Sequence, residues 1–556
     1  MNSIFLLLIT VVGFLLAYRF YGGFLQDKII GIDRNLVTPA HKVNDGIDYV
    51  PTKKIVLFGH HFATIAGLGP ILGPAIGVIW GWVPAFLWVF FGSIFMGAVH
   101  DFGILLISMK NKGVYIGELA EKIIGKRVKI IFQFLVFFML SLAMGVFVLI
   151  IAILFTMYPE GVIPTAGLIF IAMLVGTLMR KGKIGIVWSA VIGVMLLIVA
   201  IIFGVKFPVT GVSVETWKYL LLLYAYIASI LPVWLLLQPR DYLNAYLLFF
   251  GLASMFLGVL ILRPEVVAPA INTNAENLPS LFPFLFITIA CGAISGFHNL
   301  ASSGTTVRQI DKPQDAKFIG YGGMLTEGLL AVLVILAVVA GVGSRTEWFE
   351  HYQSWSKAGA LKPKIGAFIT GASLFLSSIG IPREVGRVVL SIMIVSFALT
   401  TLDSATRLLR YNIEELSRSF NVKVFQNRFI STIVAVVAIG YFALMKLGNK
   451  PVGLILWKLF GSTNQLLAAL GLMVITVYLV KRGKPFVYSF IPMLFLFAMT
   501  LWAIVAQIKT FWSSEERAYP LIILSVVIVM LSVWMITEAA ISVRRKNLSE
   551  MRRKSH

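Results

Sequence analysis

The chain has 556 residues, 59% of them hydrophobic and 13% charged, with a formal net charge of +22. Soluble globular chains run near 45–50% apolar and about 25% charged, so the composition excludes an ordinary soluble fold; the apolar residues collect into runs long enough to cross a bilayer as helices. The positive charge lies in short segments between those runs, which suits topology rather than nucleic-acid binding, and one cysteine, Cys291, supports neither a disulfide framework nor a thiolate metal site.

In chain order, helical spans are expected at 3–24, 58–80, 84–108, 129–157, 162–180, 185–205, 217–237, 242–262, 282–300, 318–343, 366–380, 386–402, 429–446, 453–480, 487–508 and 520–543. Met1–Thr10 carries no basic residue, so the first span reads as a retained helix and not a cleaved signal. Lys110, Lys112, Lys122, Lys126 and Arg127 assign loop 109–128 to the cytoplasmic side, and alternation brings 25–57, 301–317 and the C-terminal tail there too. Segment 403–428, with Arg407, Arg410, Arg418, Lys423 and Arg428, joins them if 366–380 is a re-entrant or interfacial helix. It then reads as an amphipathic helix lying on the membrane, with Asp403 and Arg407 as an i,i+4 pair at the interface. The expectation is an all-α polytopic protein of the cytoplasmic membrane, with about fifteen transmembrane helices, N-terminus outside and C-terminus inside.

Two spans are interrupted. Span 58–80 contains Gly67, Gly69 and Gly73 with Pro70 and Pro74, and two Gly-Pro pairs four residues apart disfavour a continuous helix. Span 217–237 has a similar interruption at Ile230–Leu231–Pro232, ahead of Trp234 and the Gln238–Pro239–Arg240–Asp241 run. Broken helices five crossings apart and opposite in direction point to a LeuT-like inverted five-helix repeat core plus peripheral helices. The divisions are then 1–57, an N-terminal helix and loop; 58–205, the first repeat; 217–402, the inverted repeat; and 403–556, the amphipathic segment and C-terminal helices. Unwound backbone at membrane depth lines a cavity or is buried in protein, so Gly67, Gly69, Pro70, Gly73, Pro74, Pro232 and Trp234 are the candidate substrate-binding residues. The N–H groups near Gly69–Gly73 suit an anion. The plain alternative is that these residues only kink packed helices.

The stretches GHHFATIAGLGPILGP, GAVHDF, LLQPRDYL, SGFHNLASSGTT, SFALTTLDSATRLLRY and FGSTNQLLAALGL together resemble the carbon starvation protein A family over about residues 25–480. The resemblance implies uptake of small peptides or pyruvate across the inner membrane during nutrient limitation, driven by protons. A small-molecule substrate, a coupling cation and the lipid bilayer are the implied partners, with no nucleic acid and no cofactor.

Ionisable groups inside a membrane face the bundle interior or a cavity. His60 and His61, at the start of the first broken helix, suit a proton relay or an interfacial cap. His100 and Asp101 lie toward the inner end of 84–108, and an Asp101–His61 pairing is the leading expectation for proton coupling. Glu327 stands in the middle of 318–343 with no Lys or Arg within four residues. Arg240 and Asp241 read equally as a salt bridge, a gate or a substrate contact. His298, Ser302 and Ser303 belong to the polar stretch Ser295–Thr306, whose hydroxyls in similarly arranged transporters hold sodium and which equally suits a proton-linked network. No GxxxxGK[ST] loop occurs, HHFAT is not HExxH, and no hydrolase triad is assignable. A sodium-coupled carboxylate symporter and a membrane nutrient sensor are the alternatives.

Overall fold

The computed structural model describes all residues except 47, 181–184, 360, 448–449, 452, 514–517 and 555–556. In chain order its principal helices are α1 (Ser3–Ile30), α2 (Lys54–Ile65), α3 (Gly69–Trp80), α4 (Trp82–Lys110), α5 (Ile116–Ile123), α6 (Lys126–Met157), α7 (Pro159–Leu178) and α8 (Trp188–Lys206). They continue with α9 (Val214–Ile230), α10 (Leu237–Leu262), α11 (Leu281–Thr288), α12 (Phe297–Ala301, prolonged as a π turn Ser302–Thr306), α13 (Lys317–Ala340) and α14 (Leu361–Ser378). The last are α15 (Arg383–Ser419), α16 (Arg428–Leu444), α17 (Leu459–Lys481), α18 (Val487–Ser513) and α19 (Tyr519–Arg545).

Among the described residues, 11 helices are long and apolar enough to cross a membrane, or up to 12 when α2 and α3, bent by 47° at their junction, count as one span. Four expected spans fall outside that number. α9 has 17 residues, α14 and α16 are short, and 282–300 divides into α11 and α12. Large apolar side chains such as Trp188, Met195 and Phe203 on α8 remain exposed, as a lipid-facing surface requires.

Two ends of the bundle are distinguishable. At the basic end, Lys110 Nζ donates to Ile30 O (2.7 Å), Thr52 N to Gln309 O (3.0 Å) and Lys481 Nζ to Ile123 O (2.6 Å). At the far end, Ser3 N donates to Pro264 O (3.1 Å), Asn272 N to Trp80 O (3.0 Å) and Val209 N to Pro159 O (3.3 Å). α14 lies along the far end: Lys364 Nζ donates to His351 O, Gly371 packs on Ala337, and Ser378 Oγ donates to Gly258 O.

Four expectations need correction. Segment 403–428 contains no membrane-surface helix; α15 continues unbroken to Ser419, and Asp403, Arg407 and Arg410 are buried within it. Asp403 and Arg407 do not pair with each other. Leu231–Leu236 does not interrupt a span but connects α9, which descends from the far end, to α10, which returns there. The second interrupted helix is instead α11–α12, antiparallel to α2–α3, with eight non-helical residues from Ile289 to Gly296. The sequence pattern predicts a continuous helix over 282–300 instead.

Candidate functional site

The first break lies at Ala66–Leu68, where Pro70 occupies the first turn of α3 and so leaves no intrahelical donor missing. Pro74 sits inside α3 and removes one bond there. The glycines permit close approach: a Cβ on Gly67 would strike Thr401, one on Gly69 would strike Cys291, and one on Gly73 would lie 2.8 Å from Thr288 O. Thus α3 begins against the break in α11–α12. A space of about 20 Å³ borders both breaks, lined among others by Gly67, Gly69, Met144, Cys291, Phe297 and Thr401, with room for about one water. Pro232 and Trp234 are not part of this centre; Trp234 O packs near Gly176 of α7.

Unwound backbone in a bilayer must find side-chain partners, and the second break does so. Gly292, at φ +89°, donates its N–H to Glu327 Oε1 (3.0 Å), while its carbonyl accepts from Ser93 Oγ (2.8 Å). Trp88 Nε1 donates to Ile289 O (2.8 Å), and Phe297 N donates to Asn464 Oδ1 (2.9 Å). Helices α4, α13 and α17 therefore hold the break open.

Beside it runs a fully buried ionisable chain. His100 Nδ1 and His298 Nδ1 lie 2.7 and 2.8 Å from the two oxygens of Asp101. An ionised carboxylate only accepts, so both rings donate from Nδ1. His298 Nε2 then faces Glu327 Oε2 at 3.2 Å. No Lys or Arg pairs with these four groups among the described residues. His298 thus joins two carboxylates on separate helices and presents one nitrogen to each. His61 does not contact Asp101 as expected; its Nδ1 lies 2.9 Å from Thr306 Oγ1, and Asp101 is already taken by two other histidines. Ser303 Oγ is spent on Asn299 O within its own helix, and Ser302 Oγ is buried without a partner.

His60 turns the other way, into a second buried network. Its Nδ1 lies 2.7 Å from Asp241 Oδ2; Arg240 Nη2 donates to Asp241 Oδ1 (3.0 Å), and Arg240 Nη1 pairs with Asp403 and donates to Tyr224 OH. One guanidinium thereby bridges two carboxylates, Asp241 on α10 and Asp403 on α15, and pairing of this kind is how buried charges are tolerated. The sequence pairs Asp403 with Arg407 rather than with Arg240, and it singles out neither Tyr224 nor Asn464 as a site residue. Tyr224 is one aromatic in an apolar run, and Asn464 is one of four consecutive polar residues, Ser462–Gln465, so neither stands out by itself. Gly292 and Gly296 flanking AIS were the available sign of the second break.

A family model described as "Carbon starvation protein CstA" matches residues 2–349 and 342–503. The chain is 34% identical over 575 residues to the peptide transporter CstA of Escherichia coli (strain K12), covering 92% of this chain and 81% of that protein. It is 31% identical over 577 residues to the peptide transporter CstA of Campylobacter jejuni, covering 93% and 82%. The pyruvate/proton symporter BtsT of Escherichia coli (strain K12) is 32% identical over 585 residues, at 90% and 81% coverage. Among solved structures, a variant of the Eremococcus coleocola manganese transporter is similar with a TM-score of 0.51 and 13% identity, covering 91% of this chain and 99% of that one, a likeness of fold alone.

Proposed function

The chain belongs to the carbon starvation protein CstA family and is a multi-pass membrane transporter rather than an enzyme, and from that premise we propose that it imports small peptides or pyruvate across the cytoplasmic membrane by proton symport. The basic end faces the cytoplasm, with the N-terminus outside and the C-terminal tail inside, in keeping with the positive-inside rule. The substrate carboxylate meets the N-terminus of α3 near Gly69–Gly73, where backbone dipoles supply positive charge without a buried Lys or Arg.

The observation that carries the coupling proposal is the buried chain Glu327–His298–Asp101–His100. It unites two carboxylates and two histidines beside both breaks, with Glu327 bonded directly to the unwound backbone of Gly292. A proton added between His298 and Glu327 changes the charge next to that backbone, so protonation and the geometry of the break are linked. The proposed repeats each begin with a broken helix, α2–α3 in the first and α11–α12 in the second, and the α7–α8 hairpin is an insertion in the first.

The test is uptake of labelled pyruvate and dipeptides into proteoliposomes under an imposed proton or sodium gradient. Accumulation that follows the pH gradient supports the proposal. Accumulation that follows only the sodium gradient overturns proton symport and leaves the transporter reading intact.

A further inference from the structure

The Arg240 network holds more negative than positive charge. Asp241 and Asp403 are both fully buried, and the single guanidinium of Arg240 pairs with both. Tyr224 of α9 donates its hydroxyl to Asp403 Oδ2. Arg407 of α15 stands one turn beyond Asp403 without pairing with it. Its Nη2 donates to Ala228 O (2.9 Å) and Leu231 O, and its Nη1 faces Asp48 at 4.0 Å. His60 of α2 is fully buried, with Nδ1 2.7 Å from Asp241 Oδ2. No Lys pairs with either carboxylate among the described residues.

Asp241 accepts from His60 and Arg240, and Asp403 accepts from Arg240 and Tyr224; two donors each suit ionised carboxylates. Two carboxylates and one guanidinium leave one negative charge over, and an uncompensated charge is costly to bury. His60 is the remaining titratable base in contact, and a proton on its ring brings the set of four to neutrality. The ring donates from Nδ1 to Asp241 in either state. Its Nε2 is buried without a partner, so that nitrogen takes up the proton and gives it back.

We infer that His60, with Asp241, Arg240 and Asp403, forms a second proton-binding site, separate from the Glu327–Asp101 chain, and that each turnover carries two protons, one per network. The inference rests on the proposed proton symport and gives it a stoichiometry. The step moves one proton between water and His60 Nε2 and makes or breaks no other covalent bond. It bears on the geometry because the His60–Asp241 bond joins α2, which ends at the first break, to the start of α10. A bound proton draws these helices together; its loss leaves the surplus charge at their contact and favours their parting. Val56, four residues before His60 on the same face of α2, borders a cavity of about 460 Å³ at the basic end, with Lys53, Gln238 and Tyr242. None of the four site residues lines that cavity, and parting α2 from α10 is what connects them to it.

The experiment counts protons per substrate in proteoliposomes of wild type, Asp403→Asn and His60→Gln. It reads the limiting accumulation of labelled pyruvate and dialanine under an imposed pH gradient, with the membrane potential clamped at zero. One pH unit supports about 100-fold accumulation with two protons and about tenfold with one. In tight vesicles that limit depends on the count and not on the fraction of active protein, so a poorly folding variant still reports it. Two protons are expected in wild type and one in each variant, because Asp403→Asn removes the surplus charge and His60→Gln removes the ring that holds the proton. A second readout needs no transport: nitrogen-15 NMR of the seven histidines in the full-length protein, where His60 is the signal lost in His60→Gln. Its ring is expected to carry two N–H protons at neutral pH in wild type and one in Asp403→Asn. A wild-type count of one, a count of two in either variant, or a wild-type His60 ring with a single N–H overturns the proposal. A count of zero overturns proton symport itself and the stoichiometry with it, whereas a count of one leaves proton symport standing.

Discussion

His60 and His61 are neighbours in sequence and belong to different networks, with His60 Nδ1 2.7 Å from Asp241 and His61 Nδ1 2.9 Å from Thr306. Consecutive helical residues point about 100° apart, so α2 feeds one ring toward α10 and the other toward α12. The two substitutions should therefore separate. His60→Ala is expected to lower the unfolding temperature with α10 unanchored, whereas His61→Ala is expected to reduce pH-driven accumulation by less than Asp101→Asn does. Equal losses of accumulation in all three variants would contradict two independent networks.

Asp101 is the common acceptor of two buried histidines. Asp101→Asn and His298→Gln are each expected to reduce proton-driven accumulation by more than about tenfold, since truncating one partner of a buried charged pair typically costs about 2–5 kcal/mol. Counterflow exchange of substrate, which needs no net proton movement, should survive in part. Proteoliposome accumulation and exchange measured side by side decide the matter.

Arg240 bridges Asp241 and Asp403. Arg240→Gln leaves two carboxylates buried and should destabilise the protein by about 3–5 kcal/mol. Adding Asp403→Asn should recover a substantial part of that loss, because the two residues are directly coupled. Chemical unfolding of the single and double variants provides the cycle.

Gly69 leaves no space for a methyl group against Cys291. Gly69→Ala is expected to overpack the junction of the two breaks, at a cost of about 1–3 kcal/mol, and to slow uptake. Cys291→Gly should restore part of it, and uptake rates of the single and paired variants test this.

The loop-charge topology is checked by labelling. In a Cys291→Ala background, cysteines at the exposed positions Val37 and Val424 should react from the same side of the membrane, and one at Ile271 from the other. Reaction of Val424→Cys with an impermeant reagent added outside intact cells would reverse the assigned orientation.

The first break was legible because two Gly-Pro pairs announce it without any tertiary context. The second was not: Ile289–Gly296 contains two glycines and no proline, and it is held unwound by Glu327, Ser93, Trp88 and Asn464 from three other helices. Pro232 supplied a louder signal that marks only a connection between helices. Glu327, Asp101, His100 and His298 could each be singled out as ionisable groups at membrane depth, but which of them touch depends on packing between distant segments. For the same reason the sequence favours His61 as the partner of Asp101, a place that His298 holds.

Helix α15 passes the central break at Thr401, the Arg240 network at Asp403 and the buried side chains of Arg407, Arg410 and Tyr411 without interruption. Ten residues separate Thr401 from Tyr411, about 15 Å of rod at 1.5 Å per residue. A rigid lever of that length converts a tilt of about 10° at the centre into a displacement of about 2.6 Å at its tip. That stroke is enough to part Tyr411 from Asp48, whose hydrogen bond spans 2.6 Å. One unbroken stretch of backbone can therefore report the state of the middle of the membrane to its edge by mechanical advantage, with no chain of side-chain rearrangements between them.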